Sequence, residues 1–194
     1  NGYICPNGRF MRLIKIKSIK HRKPHKDDTL PNNCKEKWYH YVVDEFVPLV
    51  REINGTGEKM MCTGCSMGAT HSVNFFLRRP DIFDTVVALS GVYHASEFFG
   101  SYMDETLYNN SPNDFLPNLP NDHFYNNSNI IVCVGQGAWE DVMLDSTRTL
   151  QKIFADKGIK GWFDYWGHDV NHDWPWWKVQ MPYFLNHLFG APNA

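Results

Sequence analysis

Short apolar runs alternate with stretches of helical periodicity along most of this chain. Each run has the length of a strand buried in a sheet, and each helical stretch repeats its apolar residues every three or four positions. The strand-like runs are residues 59–63, 85–89, 129–134 and 161–166. The helical stretches are residues 38–53, 69–79, 142–157 and 176–188. Strands that alternate with helices predict an α/β fold, with a largely parallel sheet and helices on both faces.

Two segments interrupt this regular pattern. Pro48 lies inside the first helical stretch and predicts a kink or a break there. Residues 92–128 form a long connection rich in Asn, Pro, Phe and Tyr. Connections of this length are functional lids and binding loops or plain surface excursions, and the sequence leaves both interpretations open.

Residues 1–37 differ in charge from the rest of the chain. They contain ten Lys and Arg against three acidic residues, whereas residues 38–194 contain nine against eighteen. A basic arm can bind nucleic acid, but no aromatic interleaving of the charges supports base stacking. We therefore expect a solvated or edge-strand segment and no nucleic-acid partner. The predicted organisation is an atypical basic segment over 1–37, followed by one domain over 38–194.

The lengths of the apolar runs and the spacing of Cys and His residues indicate which partners and cofactors to expect. No apolar run is long enough to span a bilayer and no signal-peptide pattern opens the chain, so we expect no membrane partner. The chain starts at Asn1, which leaves a removed leader possible. Without a second Cys/His pair at zinc spacing, we expect no metal and no cofactor. A cytoplasmic setting is expected, and a homodimer is possible.

Three of the five cysteines, Cys62, Cys65 and Cys133, fall in or beside predicted strands. Free cysteine in such places packs as a small apolar residue. Cys62 and Cys65 have the spacing of a redox pair, but the second lies inside the turn described next. We interpret both as packing residues.

A Gly-x-Ser-x-Gly motif, Gly64-Cys65-Ser66-Met67-Gly68, joins the run 59–63 to the helical stretch 69–79. At a strand-to-helix turn of this kind the serine backbone is strained and its hydroxyl stands clear of the sheet. Glycine at positions 64 and 68 removes Cβ atoms that would collide where the chain turns. Gly and Ser are common in turns, but the strand–turn–helix context makes Ser66 a candidate nucleophile.

Catalytic groups of a parallel sheet gather beyond the carboxyl ends of its strands. Glu140 and Asp141 follow the run 129–134, and His172 follows the last predicted strand. A serine needs an imidazole to take its proton, and the imidazole needs a carboxylate to orient it. We predict Ser66 as nucleophile, His172 as base and Glu140 as acid, with Asp141 an open alternative to Glu140.

Other titratable residues near these positions receive different interpretations. His168 and His172 are four residues apart, a spacing that holds metal ions on helices, but the glycine and proline around them favour a loop. We expect His168 to be a hydrogen-bonded structural residue. Asp145 is expected to be surface charge, and His71 a packing or surface residue.

An acyl-transfer site also needs donors for the oxyanion. One is the backbone N–H of Met67, the residue after the nucleophile. For the second, the sequence offers only Cys5-Pro6-Asn7-Gly8-Arg9. Aromatic residues in the same regions suit an apolar or sugar-bearing ester, although aromatics in such numbers are more often core. They are Phe98, Phe99, Tyr102, Trp139, Trp174 and Trp176.

Three motifs resemble the α/β-hydrolase superfamily, and most of all its putative-esterase branch, which includes S-formylglutathione hydrolases, feruloyl-type esterases and antigen-85-like acyltransferases. They are Gly64-Cys65-Ser66-Met67-Gly68, Gly135-Gln136-Gly137-Ala138-Trp139-Glu140 and His172-Asp173-Trp174-Pro175-Trp176-Trp177. The resemblance runs from about Trp38 to Gly190. It implies an α/β-hydrolase fold in which Ser66 is the nucleophile, His172 the base and the acid lies at Glu140 or nearby.

Members of that branch usually place two or three strands and a helix ahead of the helix that corresponds to 38–53. Only 37 residues stand there in this chain. The resemblance therefore implies N-terminal strands that are truncated or atypical, ahead of an α/β-hydrolase-like catalytic domain over 38–194.

Together these features predict a serine esterase that hydrolyses a small-molecule carboxylic ester through an acyl-enzyme. Two alternatives stay open. One is an acyltransferase of the same fold, which acceptor competition would distinguish from a hydrolase. The other is a non-catalytic α/β-hydrolase-like binding protein, whose Ser66 would never acylate.

Overall fold

The computed structural model describes residues 3–4, 10–11, 33–120 and 123–190. Two short strands pair antiparallel, and four further strands form a parallel sheet in chain order. The antiparallel pair is β1 (Tyr3–Ile4) and β2 (Phe10–Met11). The parallel sheet contains β3 (Met60–Cys65), β4 (Phe83–Leu89), β5 (Asn129–Val134) and β6 (Trp162–Tyr165). The predicted α/β fold with a parallel sheet is confirmed.

The described α-helices are α1 (Asn33–His40), α2 (Val47–Asn54), α3 (Met67–Arg78), α4 (Ser96–Phe99), α5 (Glu105–Asn109), α6 (Pro112–Phe115), α7 (Asp141–Asp156) and α8 (Trp174–Phe189), and two short 3-10 helices cover Leu116–Asn118 and His123–Asn127. Three of them begin within two residues of the predicted helical stretches: α3, α7 and α8. None of the helices in these parts of the chain is long and apolar enough to cross a membrane.

The stretch predicted as one helix over 38–53 is helical but not uniform. Residues 41–46 form a π-helical segment between α1 and α2. The Val47 N–H reaches back five residues to the Val42 carbonyl, and Pro48 follows in the first turn of α2. Since proline has no N–H to donate, the regular α-helical ladder is interrupted there, as the predicted kink or break requires.

The two faces of the sheet are covered by different helices. On β4, Val86 and Ala88 belong to a core cluster that includes residues of α3 and α7. Val87 and Leu89 belong to a second cluster, which includes Trp177 and other residues of α8. Alternate residues of a strand point to opposite faces, so a strand covered on both sides is apolar throughout. Helix α8 therefore lies over one face of the sheet, and His172 comes two residues before this helix begins.

The long connection between β4 and β5 is partly packed into the core. Leu107, Leu116 and Tyr125 are buried, and the Tyr125 hydroxyl donates to the Leu77 carbonyl at 2.8 Å. Phe98 stays half-exposed near the carboxyl edge of the sheet. The connection therefore combines core packing with an exposed part close to the predicted site.

Of the basic segment 1–37, only residues 3–4, 10–11 and 33–37 are described. The expectations for its other residues, including the turn at 5–9 and most of the stretch 9–26, lie outside the described residues.

Candidate active site

The turn between β3 and α3 holds Ser66 in a strained conformation. Its backbone φ is 55° and its ψ is −126°, in a region that residues other than glycine rarely adopt. The Ser66 carbonyl accepts from the N–H groups of Ala69 at 2.9 Å and Thr70 at 3.2 Å. These bonds close the first turn of α3 and leave the Ser66 side chain at the head of the helix.

The glycines of the motif have unequal roles. A Cβ on Gly64 would overlap the backbone of Gly68, so the chain can cross over itself only with glycine at position 64. At Gly68 a Cβ would meet no atom within 4 Å. The expectation that both glycines avoid a collision holds for Gly64 and is wrong for Gly68.

His172 lies in the loop between β6 and α8 and reaches Ser66. Its Nε2 is 2.9 Å from the Ser66 Oγ. The ring packs edge-on against Trp177, with ring centroids 5.0 Å apart, and the His172 N–H donates to the Ala138 carbonyl at 3.0 Å. His172 is thus held by a backbone hydrogen bond and by the contact of its ring with Trp177.

Glu140, rather than Asp141, faces the histidine. Its Oε1 lies 3.5 Å from the His172 Nδ1, and its side chain is only 1% exposed. Asp141 is exposed at the first position of α7. The 3.5 Å separation is longer than a hydrogen bond. Catalytic hydrogen bonds are often long before substrate binds.

Close contact between two loops brings Glu140 to His172. The Gly137 N–H donates to the Val170 carbonyl at 2.9 Å, and the Ala138 N–H donates to the Asn171 Oδ1 at 2.7 Å. A Cβ on Gly135 or on Gly137 would lie too close to the Val170 carbonyl. The glycines of the 135–140 motif therefore let the turn after β5 lie directly against the loop that carries the histidine.

Ser90 is a site residue that the sequence interpretation missed. It follows β4, has a φ of 56° and is buried. Its Oγ donates to the Glu140 Oε1 at 2.7 Å and accepts from the Trp177 Nε1 at 3.4 Å. The position of Ser90 could have identified it as a candidate, because it directly follows the predicted strand 85–89, at the edge of the sheet where site residues gather.

The candidate oxyanion donors are only partly described. Met67 is the first residue of α3, so its N–H has no acceptor within the helix. It therefore stays a candidate donor, next to the Ser66 side chain. The second expected donor, in residues 5–9, lies outside the described residues.

The cysteines beside the turn are packing residues, as expected. Cys62, Cys65 and Cys133 are free thiols. Cys65 packs against the cluster that includes α8, and burial raises the pKa of its thiol to about 11. A thiol with such a pKa is almost entirely protonated at neutral pH, whereas the thiolate is the reactive form.

Several other predicted residues lie away from these contacts. Asp145 is exposed and pairs with Arg148, as expected of surface charge. His71 is half-buried and stacks on Phe75. His168 is exposed, which does not match the expected structural role. Within the described ranges, no group of three or more His, Cys, Asp or Glu side chains could hold a metal ion.

The aromatic residues of the region are divided between packing and exposure. Trp177 is buried beside His172, and Trp174 packs against Trp177 while staying largely exposed. Trp139 is 83% exposed and has a φ of 66°. An exposed indole on a left-handed backbone is unusual, and it lies one residue before Glu140.

A sequence model of the family described as "Putative esterase" matches residues 6–188. No curated protein sequence matches the chain. A solved ferulic acid esterase is similar at a TM-score of 0.64 and 18% identity, over 78% of this chain and 60% of that one. MPT51 (FbpC1) of Mycobacterium tuberculosis is similar at a TM-score of 0.62 and 15% identity, over 80% of this chain and 69% of that one.

A third solved structure extends the comparison to larger proteins. It is a putative dipeptidyl aminopeptidase IV from Bacteroides ovatus, with a TM-score of 0.58 and 16% identity over 75% of this chain and 21% of that one. At these identities the likeness shows an α/β-hydrolase-like fold. The chain spans 60% of the length of the ferulic acid esterase.

Proposed function

Because the chain belongs to the putative-esterase family, which has the α/β-hydrolase fold, we propose that it is a serine esterase that hydrolyses carboxylic esters through an acyl-enzyme. One observation carries the proposal. The His172 Nε2 lies 2.9 Å from the Ser66 Oγ, and the other ring nitrogen faces the buried carboxyl group of Glu140 at 3.5 Å.

In the first half-reaction His172 takes the proton of the Ser66 hydroxyl while the Oγ attacks the ester carbonyl carbon. The negative charge on the carbonyl oxygen is stabilised by the Met67 N–H and a second donor. The tetrahedral intermediate then expels the alcohol, to which His172 gives its proton. An acyl group remains on Ser66.

In the second half-reaction His172 takes a proton from water, and the resulting hydroxide attacks the acyl carbon. The bond to the Ser66 Oγ breaks, and His172 returns the proton to that oxygen. The carboxylic acid leaves.

Glu140 supports both half-reactions by stabilising charge on the imidazole. When His172 is protonated, its Nδ1–H can donate to the carboxylate of Glu140, which also accepts from Ser90. Burial of Glu140 keeps water from screening this interaction. The imidazole is thereby held with Nε2 toward Ser66.

Steady-state hydrolysis of 4-nitrophenyl acetate and butyrate tests the proposal. We expect Ser66→Ala and His172→Ala to lower kcat by about a thousandfold or more, with a similar loss for Glu140→Gln. Asp145→Asn, on the exposed face of α7, serves as the matched charge control and should keep near-parental kcat. Acid-quenched samples should carry an acyl mass on the parent protein and none on Ser66→Ala. Undiminished turnover by Ser66→Ala would rule out the mechanism.

A further inference from the structure

A cleft of about 360 Å³ lies between α4 and the start of α7. Most of its lining is apolar or aromatic, and its two titratable lining residues are acidic. The lining residues are Val92, Glu97, Phe98, Trp139, Asp141, Val142 and Met143.

The cleft adjoins the candidate catalytic residues. Trp139 and Asp141 flank Glu140 in the chain. Val92 exchanges hydrogen bonds with the Thr70 hydroxyl, in the first turn after Ser66, at 2.8 and 3.1 Å. The lining therefore includes both chain neighbours of Glu140 and a residue that is hydrogen-bonded to the first turn of α3.

The cleft also lies toward the alcohol part of a bound ester. In ester cleavage the protonated histidine gives its proton to the leaving alcohol, so the alcohol must lie on the His172 side of the carbonyl carbon. His172 is hydrogen-bonded to the carbonyl of Ala138, the residue just before Trp139. An alcohol group that leaves past His172 can extend along Trp139 into the cleft.

The aromatic walls of the cleft are presented to solvent. Trp139 is 83% exposed and Phe98 is 49% exposed. The face of an aromatic ring carries negative electrostatic potential and attracts cations, and indole does so most strongly. These two side chains therefore form a surface suited to a cationic group as well as to an apolar one.

The charged side chains that line the cleft are both acidic. The segments 92–98 and 139–143, which contain the lining residues, include Glu97, Glu140 and Asp141 and no Lys or Arg. The loop and first helical turn over 166–177 contain Asp169 and Asp173 and again no Lys or Arg. Glu97 and Asp141 are exposed in the cleft itself. Such a field concentrates cations and repels anions.

We propose that this cleft binds an alkylated ammonium group on the alcohol part of the ester substrate, a proposal that rests on the proposed esterase function. The ammonium group contacts the rings of Trp139 and Phe98, and the carboxylates of Glu97 and Asp141 balance its charge. The reaction itself is unchanged. The bond from the Ser66 Oγ to the acyl carbon forms, the bond from that carbon to the alcohol oxygen breaks, and the amino alcohol leaves with the proton from His172.

Three butyrate esters that differ chiefly in the charge of the alcohol test the proposal at low ionic strength. They are butyrylcholine, its neutral isostere 3,3-dimethylbutyl butyrate, and the anionic 2-sulfoethyl butyrate. We expect kcat/KM to be about tenfold higher for butyrylcholine than for the neutral ester, and lowest for the anionic one. At about 0.5 M salt the preference should shrink, because the charges are screened.

Variants separate the contributions of the rings and the carboxylates. Trp139→Leu keeps apolar bulk without a π face, and should lower kcat/KM about fivefold more for butyrylcholine than for the neutral ester, so that the ratio of the two falls. Glu97→Gln combined with Asp141→Asn keeps shape and hydrogen bonding but removes charge, and should bring the ratio toward one. Asp145→Asn, one turn further along α7, should leave the ratio unchanged.

Calorimetric titration of the Ser66→Ala protein with butyrylcholine and with its neutral isostere gives a readout that needs no turnover. Tighter binding of butyrylcholine that is weakened by Trp139→Leu would support the ammonium site, even if the parent hydrolysed no ester and the esterase proposal fell. Equal binding of the two esters would overturn the ammonium site. If the two esters bound equally and the parent protein still hydrolysed the neutral ester, the esterase proposal would hold without the ammonium site.

Discussion

At the scale of single residues, backbone strain is concentrated where the chemistry is proposed. Ser66, Ser90 and Trp139 are the non-glycine residues with positive φ in the described part of the chain, at 55°, 56° and 66°. Each follows a strand of the parallel sheet at its carboxyl end. A left-handed conformation costs such residues about 1–2 kcal/mol, so the surrounding contacts must hold all three in place.

The Ser90 hydroxyl should be needed to position Glu140. Ser90→Ala and Ser90→Gly both remove the hydrogen bond to the Glu140 Oε1, but only glycine relieves the left-handed backbone. We predict that both variants lose about tenfold in kcat or more, with KM nearly unchanged, because the carboxylate loses a buried donor. Steady-state kinetics with thermal melting as a folding control would check this. If Ser90→Gly kept the kcat of the parent protein and Ser90→Ala did not, the backbone conformation would matter and the hydroxyl would not.

The thiol beside the nucleophile should be unreactive. Burial raises the pKa of the Cys65 thiol to about 11, so near pH 8 only about a thousandth of it is thiolate. We predict that iodoacetamide near pH 8 leaves Cys65 unmodified and ester hydrolysis intact, and that modification of Cys65 increases as the pH approaches 10. Peptide mass spectrometry of Cys65 alongside activity measures both. Rapid modification near pH 8 with parallel loss of activity would refute this.

At the scale of elements, a polar cluster of Glu36, Tyr39, Arg78 and Asn110 joins α1 to α3 and to the end of α5. Arg78 donates to both carboxylate oxygens of Glu36, at 3.2 and 2.7 Å, and its guanidinium lies 3.6 Å from the centroid of the Tyr39 ring. Asn110 also donates to Glu36, at 2.8 Å. Burial would raise the pKa of Glu36, but the hydrogen bonds from Arg78 and Asn110 bring it below its usual value.

Loss of the Glu36 charge should therefore destabilise the fold in a pH-dependent way. A carboxylate whose pKa is lowered by folding stabilises the protein above its unfolded pKa, and this contribution disappears as pH falls through the folded pKa. We predict that Glu36→Gln lowers the free energy of unfolding by about 1–2 kcal/mol near pH 7, and that the difference vanishes in strong acid. Urea unfolding at several pH values measures it.

The Arg79–Asp81 pair provides the matched control. Arg79 also donates to both carboxylate oxygens of its partner, at 2.7 and 2.8 Å, but the side chain of Asp81 is 62% exposed. Asp81→Asn should change the free energy of unfolding by less than about 1 kcal/mol, as exposed ion pairs do. Equal losses in the two variants would argue against a special role for the Glu36 cluster.

The elements themselves were largely predictable from the sequence. The run 129–134 matches β5 in both bounds because five consecutive apolar residues follow Asn129 and Gly135 comes directly after them. The stretch 38–53 was less well predicted, since helical periodicity does not distinguish an α-helix from one that contains a π-helical segment. Glu36 lies two residues before the predicted start of the helical stretch at residue 38. Its contacts could not be predicted, because its partners Arg78 and Asn110 are distant in sequence.

At the scale of the whole molecule, the topology of the sheet explains why much of the candidate site could be predicted. Ser66, Glu140 and His172 follow three strands of one parallel sheet, and the carboxyl ends of such strands share an edge. Order along the chain is then enough to bring the three residue types together. Which of Glu140 and Asp141 faces His172 could not be predicted from the sequence, because it depends on which side chain points inward where α7 begins.

Ser90 shows the corresponding limit of the sequence. Its contact with Glu140 joins residues that are 50 positions apart, and no motif links them. The second oxyanion donor, expected in residues 5–9, remains a prediction outside the described residues. Periodicity and motifs thus predict elements and the ends of strands, whereas contacts between distant loops depend on how the whole chain folds.

The most direct test of the central claim, that Ser66 is an activated nucleophile, is intact mass spectrometry after treatment with a fluorophosphonate. This reagent phosphonylates a serine whose proton is removed by a neighbouring base. We predict a single adduct on the parent protein and none on Ser66→Ala. A parent protein that is folded by circular dichroism and gains no adduct would contradict the claim.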